Sequence, residues 1–301
     1  MPRTTTDAAF AQVAGDMVPI ARRAFAAPAR PLTPRKARQE MTDPTDGAGP
    51  KGAAPRDVAT QHAARDVATE RAAWEEWRAR RRAALTAPQG NLALVETRWA
   101  PLGERPDLDA ARAELGEGQT LTTLERTEPV SGRPEYGLRR WDPRSPAARH
   151  FDSVDTFPYR PDWVLEAEYE PVQGARTVPF EHIRDNGGTR DLVVPGDLRL
   201  TLDGTAYTLS AFDDDGTLLL VFGDPTNGTS TYGAGRFLFV QRDERDNGPQ
   251  RVVLDFNRAF VPPCGFSDQY NCPMPPRQNR LHVPVEAGEK APVFRDGYGA
   301  H

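Results

Sequence analysis

Between Pro195 and Asn257 the chain repeats one pattern, a short run of strand-forming residues followed by a tight turn. Pro195-Gly196-Asp197 leads into Leu198-Arg199-Leu200-Thr201-Leu202, and Asp203-Gly204 turns it toward Tyr207-Thr208-Leu209-Ser210. Asp213-Asp214-Asp215-Gly216 then turns into Leu218-Leu219-Leu220-Val221-Phe222. An Asp-Gly pair suits a two-residue hairpin, because both central positions must accept a positive φ. The Leu218–Phe222 run is apolar on both faces and predicts a central strand. Arg236 to Gln241 and Arg251 to Asn257 add two strands, joined by the polar loop Arg242 to Gln250. Short antiparallel strands in series, with one face buried, close into a barrel or stack as a sandwich. The expected fold is therefore mainly β: an antiparallel meander forming a half-open barrel or sandwich, with one N-terminal α-helix packed on it.

Three segments are expected. Residues 1–56 are rich in Ala, Pro, Arg and Thr and poor in large apolar side chains. Such a segment buries too little surface to offset its chain entropy, which predicts a disordered tail. Met41 opens a more ordinary polar leader and is the alternative start codon. Residues 57–90 hold the N-terminal helix, and 91–301 the β-rich domain. From Asp66 to Leu85 the pattern is helical: Thr69 is placed to cap it, and Val67, Trp74, Trp77 and Leu85 share a stripe. The Arg78-to-Arg82 run reads as a solvated face near the helix end, where cations suit the dipole, rather than as a nucleic-acid patch. Pro88-Gln89-Gly90 ends the helix. The near-repeat Arg56-to-Thr60 and Arg65-to-Thr69 fits no solenoid period and reads as a local duplication. Between 91 and 137 the sequence predicts a short strand at Leu92–Val95, a short helix from Asp107 to Leu115, and otherwise loop. Trp163-to-Tyr169 alternates with period two, and Asp191 to Val194 reads as a further strand.

Charge narrows the partners. Residues 1–56 carry nine Lys/Arg against five Asp/Glu, which leaves about −9 for the rest of a chain whose formal net charge is −5. An acidic body is a poor match for nucleic acid, which wants a basic face. There is no run of about 18 apolar residues, so no spanning helix is expected. Nor does the opening segment have the apolar core of a secretory signal. These features predict a cytoplasmic protein whose partner is a small molecule; they set neither its cofactor nor its oligomeric state.

The polar residues of the last strands are the candidate site. A hairpin centred near Arg245-Asp246 sets Arg236 opposite Asp255. Asp255 and Asn257 share one face of the strand, while Leu254 and Phe256 share the core face. An Arg–Asp pair there either anchors an acidic ligand, positions Asp255 as a general base, or fixes strand register as a buried ion pair. The loop from Asp224 to Gly235 is rich in glycine and hydroxyls. It is either an anion cradle or a turn ordered by Asp224 and Thr226. If the hairpin register holds, Asp224, Tyr232, Arg236, Asp255, Asn257 and Cys264 converge at one rim. Arg139, Trp141 and Asp142, with Phe157-Pro158-Tyr159, supply either a second cleft wall or an ordinary barrel edge. Cys264 and Cys272, enclosed by prolines, read as buried thiols, a disulfide, part of a metal site with His282, or a nucleophilic Cys264 served by His282.

Leu254-Asp255-Phe256-Asn257-Arg258-Ala259-Phe260, Pro262-Pro263-Cys264, Cys272-Pro273, Pro275-Pro276 and Asn279-Arg280-Leu281 together resemble the C-terminal signature of the DUF1684 family. That is a bacterial and archaeal domain of unknown function. The resemblance runs from Asn186 to Lys290 and takes in Phe222, Asp224, Thr226, Gly228, Thr231-Tyr232, Gly235-to-Leu238 and Ala287-Gly288-Glu289-Lys290. Upstream, Tyr136-to-Pro143 and Phe157-to-Trp163 also resemble family segments, and the Trp77-to-Leu85 helix more loosely. Two departures stand out. Residues 100–135 are short where typical members carry a further small β-rich segment. Ala259-Phe260-Val261 stands where the family has Ala-Tyr-Asn, so no role here can rest on that tyrosine or that amide. The family signature has proline at the position of His282, which counts against a metal site. The resemblance implies no activity. Three functions remain: a small-molecule-binding barrel with an Arg/Asp-lined pocket for a polar or acidic ligand, an enzyme using Asp255 as base with Arg236 stabilising an anion, and a structural or partner-binding protein.

Overall fold

The computed structural model describes residues 67–299, apart from 128–131, 184–188, 215–216, 244–245 and 247. The expected tail, the Met41 start, most of the near-repeat, Asp215-Gly216 and Arg245 lie outside the described residues. Helix α1 (Val67–Leu85) comes first, followed by β1 (Leu94–Trp99), α2 (Leu108–Ala113), β2 (Thr120–Thr127), β3 (Pro134–Trp141), α3 (Pro146–His150) and β4 (Phe151–Thr156). The long strands β5 (Val164–Glu181), β6 (Thr189–Leu202) and β7 (Thr205–Asp214) precede β8 (Thr217–Phe222), β9 (Arg236–Val240), β10 (Gln250–Asp255) and β11 (Glu289–Phe294). The main sheet is an antiparallel half-barrel in the order β10-β5-β6-β7-β8-β9. Two smaller antiparallel sheets, β1-β3-β2 and β11-β4, flank it.

The turn chemistry behaves as the sequence predicts. Leu202 faces Thr205 across Asp203-Gly204, and both turn residues have positive φ, 49° and 72°. Leu218 to Phe222 is buried throughout, as a central strand should be. Its alternation splits the core. Leu218, Leu220 and Phe222 pack with Tyr169, Leu198, Leu209, Leu254 and Phe256 on one face. Leu219 and Val221 pack with Phe180, Phe212, Phe237, Trp74 and Trp77 on the other. Both faces of the half-barrel are thus filled by apolar side chains, and residues 281–287 lie against the first of them.

The expected hairpin between the last two barrel strands does not form. Arg236 faces Phe222 of β8, and Asp255 faces Val164 of β5. Alternation fixes which face of β10 is buried, and Leu254 and Phe256 are indeed fully buried. It does not fix which neighbour supplies the hydrogen bonds, and the 241–249 connection is long enough to let β10 cross to β5. Val253, on the Asp255 side of β10, is 41% exposed, so that side turns outward rather than into a polar interior.

Three local expectations also change. Thr69 lies inside α1 instead of capping it, and Val67, placed on the buried stripe, is half exposed. Leu92 and Ala93 belong to a 3-10 turn that precedes β1. The 116–127 stretch expected as loop contains β2, a Thr-rich edge strand whose pairing with β3 completes the small sheet. The helix predicted from Asp107 is present as α2, with the Asp107 carboxylate accepting from the backbone N–H groups of Asp109 and Ala110.

Candidate functional site

Arg236 is completely buried, and every strong contact it makes is internal. Its guanidinium donates to Asp224 Oδ2 at 2.8 Å and to the carbonyls of Val285 at 2.8 Å, Ala287 at 2.5 Å and Glu289 at 3.3 Å. Asp224 Oδ1 in turn accepts from Thr226 N and Oγ1 and from Val285 N. Burial pulls the arginine's pKa down, and the Asp224 charge opposes that pull. With both side chains at 0% exposure, the pair is a clamp. It ties β9, the 224–235 loop and the returning C-terminal segment together. Asn227 and Thr231 complete the loop's own hydrogen bonding, so it is ordered from within.

Asp255 and Asn257 form a second cluster. Asn257 holds the backbone of Arg160 from both sides: its Oδ1 accepts from Arg160 N at 2.8 Å and its Nδ2 donates to Arg160 O at 2.9 Å. Asp255 accepts from Asn257 Nδ2 at 3.0 Å and pairs with Arg258 at 3.1 Å. Burial nevertheless pushes the Asp255 carboxyl above its ordinary value, outweighing Asn257 and Arg258. A carboxyl whose folded-state pKa is raised binds its proton more tightly in the native state, so ionising it costs stability. Asp255→Asn is therefore expected to become progressively more stable relative to wild type as pH rises from about 3.8 through the raised value. Urea midpoints of the two proteins across that interval check this, and a constant difference would contradict it.

Tyr232 and the cysteines make a third cluster. The Tyr232 hydroxyl donates to Cys264 Sγ at 3.7 Å, and the backbone N–H of Cys264 donates to Cys272 Sγ at 3.3 Å. Both cysteines are buried, with no disulfide between them. His282 is elsewhere, exposed, with its Nδ1 at 3.3 Å from the Tyr207 hydroxyl. Among the described residues no group of three or more His, Cys, Asp or Glu side chains is placed to hold a metal ion. Arg139 and Trp141 are each 2% exposed. Arg139 lies over the Tyr270 ring, and Trp141 Nε1 donates to Thr122 Oγ1. They face the junction between the small sheet and the cysteine loop. The hairpin register on which the expected convergence of six residues rested does not form, and their side-chain contacts join them as three pairs: Asp224–Arg236, Asp255–Asn257 and Tyr232–Cys264.

An open groove lies elsewhere, between α1 and β4. This groove of about 290 Å³ is walled by Arg78, Ala79 and Arg82 of the helix and by Phe151, Ser153, Val154 and Thr156 of the strand, with Glu75 at its edge. Its floor is a buried ion pair. Arg81 Nε donates to Glu289 Oε1 at 3.0 Å, and its guanidinium also reaches the carbonyl of Val261 at 2.9 Å. Glu289 Oε2 accepts from Val261 N at 2.8 Å. Arg78 and Arg82, by contrast, are exposed and stack over aromatic rings, Trp74 at 5.0 Å and Phe151 at 5.5 Å. Neither has a carboxylate partner among the described residues. Glu75 is engaged by Arg71 at 3.5 Å.

Arg78 and Arg82 keep the solvated position expected of them, but Arg81 does not. The signal was present: Trp77, Arg81 and Leu85 recur every four residues, so a stripe of buried residues passes through Arg81. Glu289 carried no such sign.

Comparison with known proteins gives a family and no activity. A family model described as a protein of unknown function, DUF1684, matches residues 149–290. Among solved structures, the solution NMR structure of an uncharacterised protein from Haloarcula marismortui is 32% identical. The alignment covers 47% of this chain and 77% of that one, with a TM-score of 0.40. No curated protein matches.

Proposed function

This chain belongs to the DUF1684 family of proteins of unknown function, and from that premise we propose that its half-barrel is a scaffold for binding a small acidic molecule in the α1–β4 groove. The observation that carries this reading is the state of Arg78 and Arg82. Two guanidiniums stand four residues apart on one helix face, oriented by aromatic rings and unmatched by carboxylates among the described residues, at the lip of an open groove. Residues i and i+4 of a helix are neighbours, so one anion can reach both. Arg236 is not the anchor in this reading, since it is fully buried and both its terminal nitrogens donate to Asp224 and backbone carbonyls. The groove joins the family-matched segment, which supplies β4 and Glu289, to a helix that lies outside it.

Two buried, unbridged thiols suit a reducing compartment, and a cytoplasmic location is part of the same proposal. No helix among the described residues is long and apolar enough to cross a membrane. A second reading, with Asp255 as general base, is favoured by its raised pKa. A substrate would first have to displace Arg258 from its carboxylate.

The test is binding of inorganic phosphate at low salt to wild type and to the Arg78→Gln/Arg82→Gln double variant. Both positions are exposed, so the variant should fold. Exposed ion pairs contribute up to about 1 kcal/mol each, so loss of both guanidiniums is expected to weaken phosphate binding several-fold. Equal binding by the two proteins would contradict the proposal.

A further inference from the structure

Resting on the groove as the ligand site, we infer that the ligand is an amphiphilic organic anion, one charged head on a compact apolar body, rather than a bare inorganic ion. The groove is chemically lopsided. Its solvent-facing cations lie on the helix side, at Arg78 and Arg82. Apart from Ser153 and Thr156, the strand side is apolar, and so is the part of the groove beside the Arg81–Glu289 floor. Phe151 is 6% exposed and Leu85 is fully buried, and the half-buried Val154 packs on the same cluster with Phe294 and Phe266. An anion held only at the lip makes exposed ion pairs, which are individually weak and salt-screened. A body that slides past the guanidiniums onto Phe151 and Val154 gains the burial that the lip alone does not offer.

Charge and size agree with this. Glu289 on the floor is matched by Arg81, and Glu75 at the edge by Arg71, so Arg78 and Arg82 leave the groove with a surplus of positive charge. The Glu289 carboxylate, with its oxygens already engaged by Arg81 and Val261 N, offers no donor to a second anionic group deeper in the groove. A volume of about 290 Å³ lies at the small end of the roughly 300–1,000 Å³ typical of ligand sites. One ring or a short acyl chain fits that space. Ser153 and Thr156 on β4 offer hydroxyls along the wall to a polar substituent.

Calorimetric titration of the full chain with phenyl phosphate and with inorganic phosphate tests the inference. Phenyl phosphate is expected to bind about tenfold more tightly or better, from the apolar area it buries. Val154→Thr, which keeps the side-chain shape and replaces a methyl with a hydroxyl, should erase several-fold of that preference. Arg82→Gln should weaken both ligands. Equal affinities for the two probes would overturn the amphiphile inference and leave the acidic-ligand reading standing. Failure of both to bind would overturn that reading, and the inference with it. Phenyl phosphate binding that ignores Arg82→Gln would place the ring outside the groove and overturn the inference.

Discussion

An Arg236→Met variant is expected to lose about 3–5 kcal/mol of folding stability, the usual consequence of removing one partner from a buried ion pair. The substitution leaves Asp224 charged at 0% exposure, and it strands the carbonyls of Val285, Ala287 and Glu289 that the guanidinium satisfied. Those carbonyls belong to the segment that returns across the half-barrel, so the damage reaches well past one strand. Against a total stability of about 5–15 kcal/mol, such a loss puts the variant near its unfolding threshold. Asp224→Asn should cost less, because the amide oxygen still accepts from Thr226 and Val285. The double variant Arg236→Met/Asp224→Leu should be markedly better than the sum of its singles, since neither charge is then left alone. Guanidinium denaturation of the set measures this. A loss below about 1 kcal/mol for Arg236→Met would contradict the clamp.

Arg81→Met comes next in size, with a similar expected loss of about 3–5 kcal/mol concentrated on one element. Arg81 reaches from α1 to Glu289 of β11 and to the carbonyl of Val261, and the variant leaves the Glu289 carboxylate buried beside an apolar side chain. Helix α1 is otherwise held by Trp74, whose Nε1 donates to Asn257 O, and by burial of Trp77 and Leu85. Amides of residues 70–85 should therefore exchange faster than those of the β8 core, by local undocking before global unfolding. Because α1 forms one wall of the groove, anion binding should fall with it. Unchanged exchange in α1 would mean that the pair does not hold the helix.

The fold was largely legible, because alternation and turn chemistry are local. Asp203-Gly204, the doubly apolar Leu218–Phe222 run and the buried Leu254/Phe256 face each carry their meaning within a few residues. Strand neighbours are not local. Nothing in Arg251–Asn257 says that β10 pairs with β5 rather than β9, and the expected site was built on that choice. Strand β2 hid for a different reason: an edge strand rich in threonine lacks an apolar face to alternate.

The candidate groove was less legible still. Its walls come from α1, β4 and β11, spanning residues 75 to 289, and no spacing rule links them. Arg81 was the one readable clue. A charged residue on the Trp77–Leu85 stripe has to find a buried partner or disrupt the helix. Arg236 shows the converse limit: an arginine among apolar strand residues marks a buried polar centre, yet the same sequence suits a ligand anchor and a closed clamp. Counting the acceptors around it decides between them, and that count requires the fold.

The proposed ligand site lies between α1 and β4 and not in the half-barrel. Backbone NMR shift mapping during titration with phenyl phosphate tests it most directly. Saturable perturbations are expected to cluster at residues 75–82, 151–156 and 289, with Arg236, Asp224 and their neighbours on β8 and β9 still. Perturbations centred on Arg236 or Asp255, or none at all, would contradict it.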